Sequence, residues 1–351
     1  MSIDLRRELA RASTMLDVGR CDEATAVMSR VVAAEPDSSR AWCLLARAHL
    51  GTKRYVDAIG AANQAVALDP ADEWPHRLAS NALIHLGNHG DALRAAGEAC
   101  RLAPDLWQTH VCVAQAALAG AHLKIANAAA AQARTLAPNE PDVHFLSGKV
   151  SLASGELAGA RSHQERALSL DPAHSGAMNE LGRIRLKRHD TPGAIRHFMS
   201  AARSAPDEQI YSRNIDVVIL RTVSTGIYVF TLIALLLIWI PAVAHLTQLP
   251  FIIGLAVLCS AALTCVAWTL LRLPREARPL LRRALLKRRV AGALGLALGG
   301  VAVAFAIVAL VPPKDVGQWF PIAVIITVAG RMAAFSTLGS GGRGRLSLRR
   351  R

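Results

Sequence analysis

SRAWCLLARAHLGTKRYVDAIGAANQAVALDPAD, residues 39–72, contains one complete turn of a clock that runs through the first 208 residues. Its Pro70 belongs to a series spaced by 34: Pro36, Pro70, Pro104, Pro138, Pro172 and Pro206. Five equal intervals do not arise by chance. Twelve residues before each proline stands an alanine, at Ala24, Ala58, Ala92, Ala126, Ala160 and Ala194. A second small column reads Val31, Ala65, Ala99, Ala133, Ala167 and Ala201. A period of this length is the mark of stacked helix–turn–helix units.

Within the quoted stretch the apolar spacing predicts a first helix over 40–50 and a second over 55–68. Gly51 punctuates the turn. Asp69-Pro70 closes the unit, because proline cannot continue a helix and restricts the residue before it. The alanine columns have a mechanical reason: two helices approach closely only where side chains are small, and a methyl permits this without the helix penalty of glycine. One unit cannot bury its apolar face alone, whereas stacked units bury a continuous core. Such an array is a binding surface, so the first 208 residues are expected to hold a partner and catalyse nothing.

The columns resemble the tetratricopeptide repeat family. Trp42, Leu45, Ala58, Ala65 and Pro70 match its pattern in the second unit. Gly148, Gly155, Ala160, Ala167 and Pro172 match in the fifth, and Leu181, Gly182, Ala194, Phe198, Ala201 and Pro206 in the sixth. His76, His110 and His144 stand where Trp is usual, and Ala62, Ala96 and Ala130 where Phe is usual, which implies a thinner core in the middle units. The resemblance covers residues 5–208. It implies an all-α, right-handed solenoid of about six units: 5–38, 39–72, 73–106, 107–140, 141–174 and 175–208.

The charge divides the chain. Residues 1–210 hold 23 Lys/Arg against 23 Asp/Glu, and residues 211–351 hold 17 against 3, so the whole net charge of +14 lies in the second part. A pI near 10.4 ordinarily suggests nucleic acid. Here the basic residues flank apolar stretches, which points to a membrane instead, and nucleic acid is disfavoured. No Asp, Glu, Lys or Arg occurs from Thr222 to Leu271. The sequence therefore predicts a four-helix transmembrane region over 222–338, with spans near 222–244, 250–271, 290–311 and 317–338. A capping or linker helix over 209–221 precedes it, with Ile210, Tyr211, Ile215, Val218 and Ile219 at helical spacing. A basic tail, 339–351, follows. The loop from Arg272 to Arg289 carries eight Lys/Arg and one Glu, and the positive-inside rule places it on the cytoplasmic side. An even number of spans and the lack of a signal peptide agree, giving a multi-pass protein of the plasma or inner membrane with both termini cytoplasmic. The same loop suits anionic lipid. Gly295 and Gly299 form a GxxxG in the third span, which serves either self-association or packing among the four helices. Arg331 lies inside the fourth span, where snorkelling to headgroups is the plainer reading.

Carried onto this chain, the family's groove positions are Arg40, Arg47, Trp74, Arg77, Asn81, Gln108, Gln115, Phe145, Lys149, Asn179, Arg183 and Lys187. Cations and amides on a concave face suit an extended protein or peptide segment, an acidic one in the sharper form of the reading. The plainer alternative is a solvated helix face. His76, His110 and His144 recur at 34 residues, but helix-packing distances of about 10 Å are too open for a shared metal, so they read as core residues replacing Trp. The cysteines show no CxxC and read as small apolar residues. No P-loop, HExxH, strand-linked GxGxxG or GxSxG is present. No metal, cofactor or enzymatic activity is expected. The sequence thus predicts a membrane-anchored scaffold or adaptor that recruits a cytosolic partner through the concave face of its repeats. The second reading is a regulatory repeat domain on a small transporter or channel subunit.

Overall fold

In the computed structural model the described residues are 4–206, 208–218 and 325, and every regular element among them is helical. Twelve helices alternate as first and second members of six pairs: α1 (Leu5–Asp17) with α2 (Cys21–Ala34), α3 (Ser39–Gly51) with α4 (Tyr55–Leu68), and α5 (Trp74–Leu86) with α6 (His89–Leu102). α7 (Trp107–Ala119) pairs with α8 (Leu123–Leu136), α9 (Pro141–Ala153) with α10 (Leu157–Leu170), and α11 (Ser175–Lys187) with α12 (Thr191–Ser204). A further helical stretch runs over 209–218. The sequence placed the second pair to within a residue at each end.

The period has a backbone cause at both of its joints. At the turn inside each pair one residue is left-handed, and those residues keep the clock: Gly19, Lys53, Gly87, Ala121, Gly155 and His189, with φ between 59° and 85°. Each turn carries the same closing bond from the following N–H to a carbonyl five residues back, as in Arg20 N–H to Met15 O at 2.8 Å and His122 N–H to Ala117 O at 2.8 Å. This is the Schellman geometry, which satisfies carbonyls at a helix end. At the outer joint the residue before each motif proline leaves the helical conformation, with φ between −130° and −139°, and donates its N–H four residues back, as Asp69 does to Ala65 O at 2.9 Å. The proline has no N–H to donate next, so the helix stops there.

The chain separates into two compact bodies, Met1–Ile184 and Arg185–Arg351. From α1 to α10 each helix packs on its sequence neighbour, and the first helices α1, α3, α5, α7 and α9 also pack on one another from pair to pair. All six alanines of the first column are fully buried, as are the five alanines of the second, with Val31 2% exposed. Core quality varies along the first body. Met28, Val31 and Leu44 fill it near α2 and α3, whereas around α6 and α7 its buried residues are Ala92, Ala96, Cys112 and Ala116, with Leu83, Ile84, Leu93 and Val113 partly buried against them. In the second body Phe198, Ile195 and Met199 pack with Ile215 and Val218. Tyr211 is buried too, but Ile210 is half exposed.

The placement as a multi-pass membrane protein is corrected: among the described residues no helix is long and apolar enough to cross a membrane. The repeat helices run to 13 or 14 residues, against about 20 for a span. The four expected spans, Gly295, Gly299, Arg331, the loop from Arg272 to Arg289 and the basic tail lie outside the described residues.

Candidate functional site

The expected groove positions all lie on the first helices of their pairs, and all but Lys187 lie in the first body. A groove of about 320 Å³ crosses α5, α7 and α9. α5 contributes Trp74, Arg77, Leu78 and Asn81 to its lining. α7 contributes Trp107, Gln108, Val111, Cys112 and Gln115, and α9 contributes Asp142 and Phe145. Six expected positions therefore meet here: Trp74, Arg77, Asn81, Gln108, Gln115 and Phe145. The helical spacing explains the convergence, since Trp74, Arg77, Leu78 and Asn81 fall at i, i+3, i+4 and i+7 of one helix.

The remaining positions flank the groove or lie apart from it. Arg40, on α3, places its guanidinium carbon 4.2 Å from the centroid of the Trp74 ring. Lys149, on α9, holds its Nζ 5.4 Å from the centroid of Phe145. Arg47 is paired with Asp17 of α1 at 2.8 Å. Asn179 is buried on α11, and Arg183 on the same helix donates to both Glu180 oxygens at 2.8 and 2.9 Å. Lys187 ends α11 and belongs to the second body.

The electrostatics differ from a bare row of cations. Arg77 is not free: its Nε and Nη2 both donate to Glu73 one turn back, the latter at 3.0 Å, and both side chains are largely buried. Asp142 accepts from Nε2 of His174 at 3.2 Å, and that hydrogen bond holds the carboxyl below its ordinary range. The same bond raises the His174 imidazole, against the opposing effect of burial. His174 also stacks at a tilt on Phe145, with centroids 4.8 Å apart, and its Nδ1 accepts the Ala177 N–H at the start of α11. Cys112 is pushed up to about 11 by burial, so it faces the groove as a neutral thiol and not as a nucleophile. Asn81 and Gln115 are exposed on this face. Trp107 and Asp142 were missed in the sequence. Asp142 was findable, since it keeps the 34-residue clock of Arg40, Trp74 and Gln108. Trp107 was not, because it aligns with Glu73 and Pro141.

Two members of the histidine column, His110 and His144, lie elsewhere, on the loop side of their helices. Trp42 donates its Nε1–H to Pro36 O at 2.8 Å. His110 does the same to Pro104 O at 2.7 Å, and His144 to Pro138 O at 2.8 Å, through Nε2. Imidazole thus replaces indole because both offer an N–H at the reach needed to tie down the motif proline's carbonyl. Among the described residues no three His, Cys, Asp or Glu side chains are grouped as a metal would need.

This is a helical-repeat protein with a groove on its first-helix face. Residues 9–73 match the tetratricopeptide repeat family. A tetratricopeptide repeat protein from Parabacteroides merdae is 11% identical, with 59% of this chain and 81% of that one covered and a TM-score of 0.53. The APC/C hetero-tetramer Cut9-Hcn1 is 16% identical, with 78% and 48% covered and a TM-score of 0.53. A thermophilic repeat protein of Thermus thermophilus is 20% identical, with 52% and 99% covered and a TM-score of 0.49. The first two share the fold. Comparison with curated proteins gave no match. Tetratricopeptide repeat proteins bind protein or peptide partners, and the fold is typically a scaffold without catalytic function.

Proposed function

We propose that this chain is a protein-binding scaffold that captures an extended segment of its partner in the groove across α5, α7 and α9. The observation that supports this most is the composition of the groove. Three aromatic rings, Trp74, Trp107 and Phe145, share it with exposed amides at Asn81 and Gln115. Aromatic rings give large contact area at low entropic cost. Side-chain amides both donate and accept, so they match either polarity of a peptide backbone. A merely solvated helix face has no reason to collect three rings around an open cleft.

A photo-cross-linking amino acid placed at Gln115 in the full chain tests this, with Val56 on α4 as the control. Val56 is 70% exposed and lies on a second helix. The Gln115 position is expected to trap a discrete partner, lost when Trp74 and Trp107 are both changed to Ala, while the Val56 position traps none. Equal trapping at the two positions, or trapping unaffected by the double change, sinks the reading.

A further inference from the structure

The inference concerns the chemistry of the captured segment and rests on the peptide-binding reading of the groove. Cations on this face divide into two kinds. Arg47, Arg77 and Arg183 are each satisfied by a carboxylate of the chain itself, from Asp17, Glu73 and Glu180. Arg40 and Lys149 have no carboxylate partner among the described residues and lie over groove rings instead, at 4.2 Å from Trp74 and 5.4 Å from Phe145. A guanidinium stacked by its flat face keeps its N–H edge open, and the ring fixes its direction. The groove is therefore bracketed by two oriented cations, with aromatic rings and free amides between them. Its one lining carboxylate, Asp142, is already engaged by His174 and offers little to a basic segment.

The spacing sets the length. α3, α5, α7 and α9 pack in succession. Three steps of about 8–10 Å separate the outer two helices. At roughly 3.3 Å per residue, an extended chain of about seven to nine residues crosses that distance. We propose that the groove takes an extended segment with a carboxylate near each end and a bulky apolar side chain between them, the carboxylates on Arg40 and Lys149 and the apolar group among Trp74, Trp107 and Phe145.

A phage-displayed library of random nine-residue peptides, selected on the full chain, tests the assignment. Asp or Glu is expected near both ends, with Leu, Phe or Trp in the middle. A synthetic consensus peptide is expected to bind at least about tenfold more weakly when its acids are replaced by amides, and equally so to Arg40→Gln or Lys149→Gln. Both side chains reach solvent, and retained helicity by circular dichroism checks the fold of the variants. Selected peptides that lose affinity with Trp74→Ala but show no acidic bias, or a basic one, overturn the charge assignment and leave the groove reading standing. Failure to select any peptide, or peptides indifferent to Trp74→Ala and Trp107→Ala, overturns both.

Discussion

Ala121 holds φ at 59°, a conformation that side chains bearing a Cβ adopt at a cost. Lys53 and His189 do the same in their own turns, while Gly19, Gly87 and Gly155 occupy the matching positions without strain. Ala121→Gly is therefore expected to stabilise the chain by about 0.5–1 kcal/mol. Gly87→Ala should lose a similar amount, and denaturant unfolding of the full chain measures both. No gain at Ala121 combined with no loss at Gly87 removes strain as a factor in these turns. His174 gives a pH dependence of definite sign. Its pKa is raised by Asp142, so its contribution is complete below the ordinary imidazole value near 6.5 and fades as pH rises through the raised one. The pKa of Asp142 is lowered, so its contribution is present above the ordinary carboxylate value and is lost as pH falls through the depressed one. Together they are strongest in mildly acidic solution. The Asp142 side chain is 67% exposed, which limits the pair to under about 1 kcal/mol. Thermal midpoints of the parent and Asp142→Asn should differ most in mildly acidic solution and converge as pH rises through the raised His174 pKa. A gap that widens towards alkaline pH contradicts the assignment.

Between elements, α9 approaches α10 closely at Gly148. A Cβ there would sit 2.3 Å from Gln164 Nε2 and 3.1 Å from Ala160 O. Gln164 is fully buried and donates that nitrogen to Phe145 O at 3.1 Å, so it cannot swing away without losing the bond. Gly148→Ala is expected to cost about 1–3 kcal/mol, and adding Gln164→Ala should recover part of it by clearing the space. Chemical denaturation of the two single variants and the double variant measures the coupling; additive losses would mean that the helices adjust by sliding apart. The same pairing shows what the sequence discloses. The alanine columns and motif prolines repeat, so helix order and close approach are legible from spacing alone. The left-handed turn position is not, because Lys53, Ala121 and His189 give no sign of it. Arg77 with Glu73 is visible as an i,i+4 pair. Arg47 with Asp17 is not, since thirty residues and a helix hairpin separate them. The groove's aromatics divide likewise: Phe145 and Trp74 sit on recurring positions, while Trp107 reaches the cleft from a position that holds Glu or Pro in its neighbours.

At the scale of the whole first body, stability follows from contacts between adjacent units, as in any linear array. The interior is uneven. α1 to α4 bury Met15, Leu16, Met28, Leu44 and Leu45. α6 and α7 meet through Ala92, Ala96, Cys112 and Ala116, with the partly buried Leu93 and Val113 packed against them. Burial contributes about 25 cal/mol per Å² of apolar surface, so methyl-lined interfaces are weaker than those built from Leu and Met. Local opening selects the weakest interface, and amide exchange reads its free energy. Amides of α6 and α7 should therefore exchange earlier than those of α3 and α4 under native conditions, although all four helices are regular and internally hydrogen-bonded. The groove lies on this softer segment, so a bound segment should slow exchange most in α5, α7 and α9 and leave α4 nearly unchanged. Hydrogen–deuterium exchange of the full chain resolves these helices as separate peptides. Uniform protection from α3 to α7 would show that the alanine interfaces are as strong as the leucine-rich ones, and that close helix approach offsets the smaller side chains.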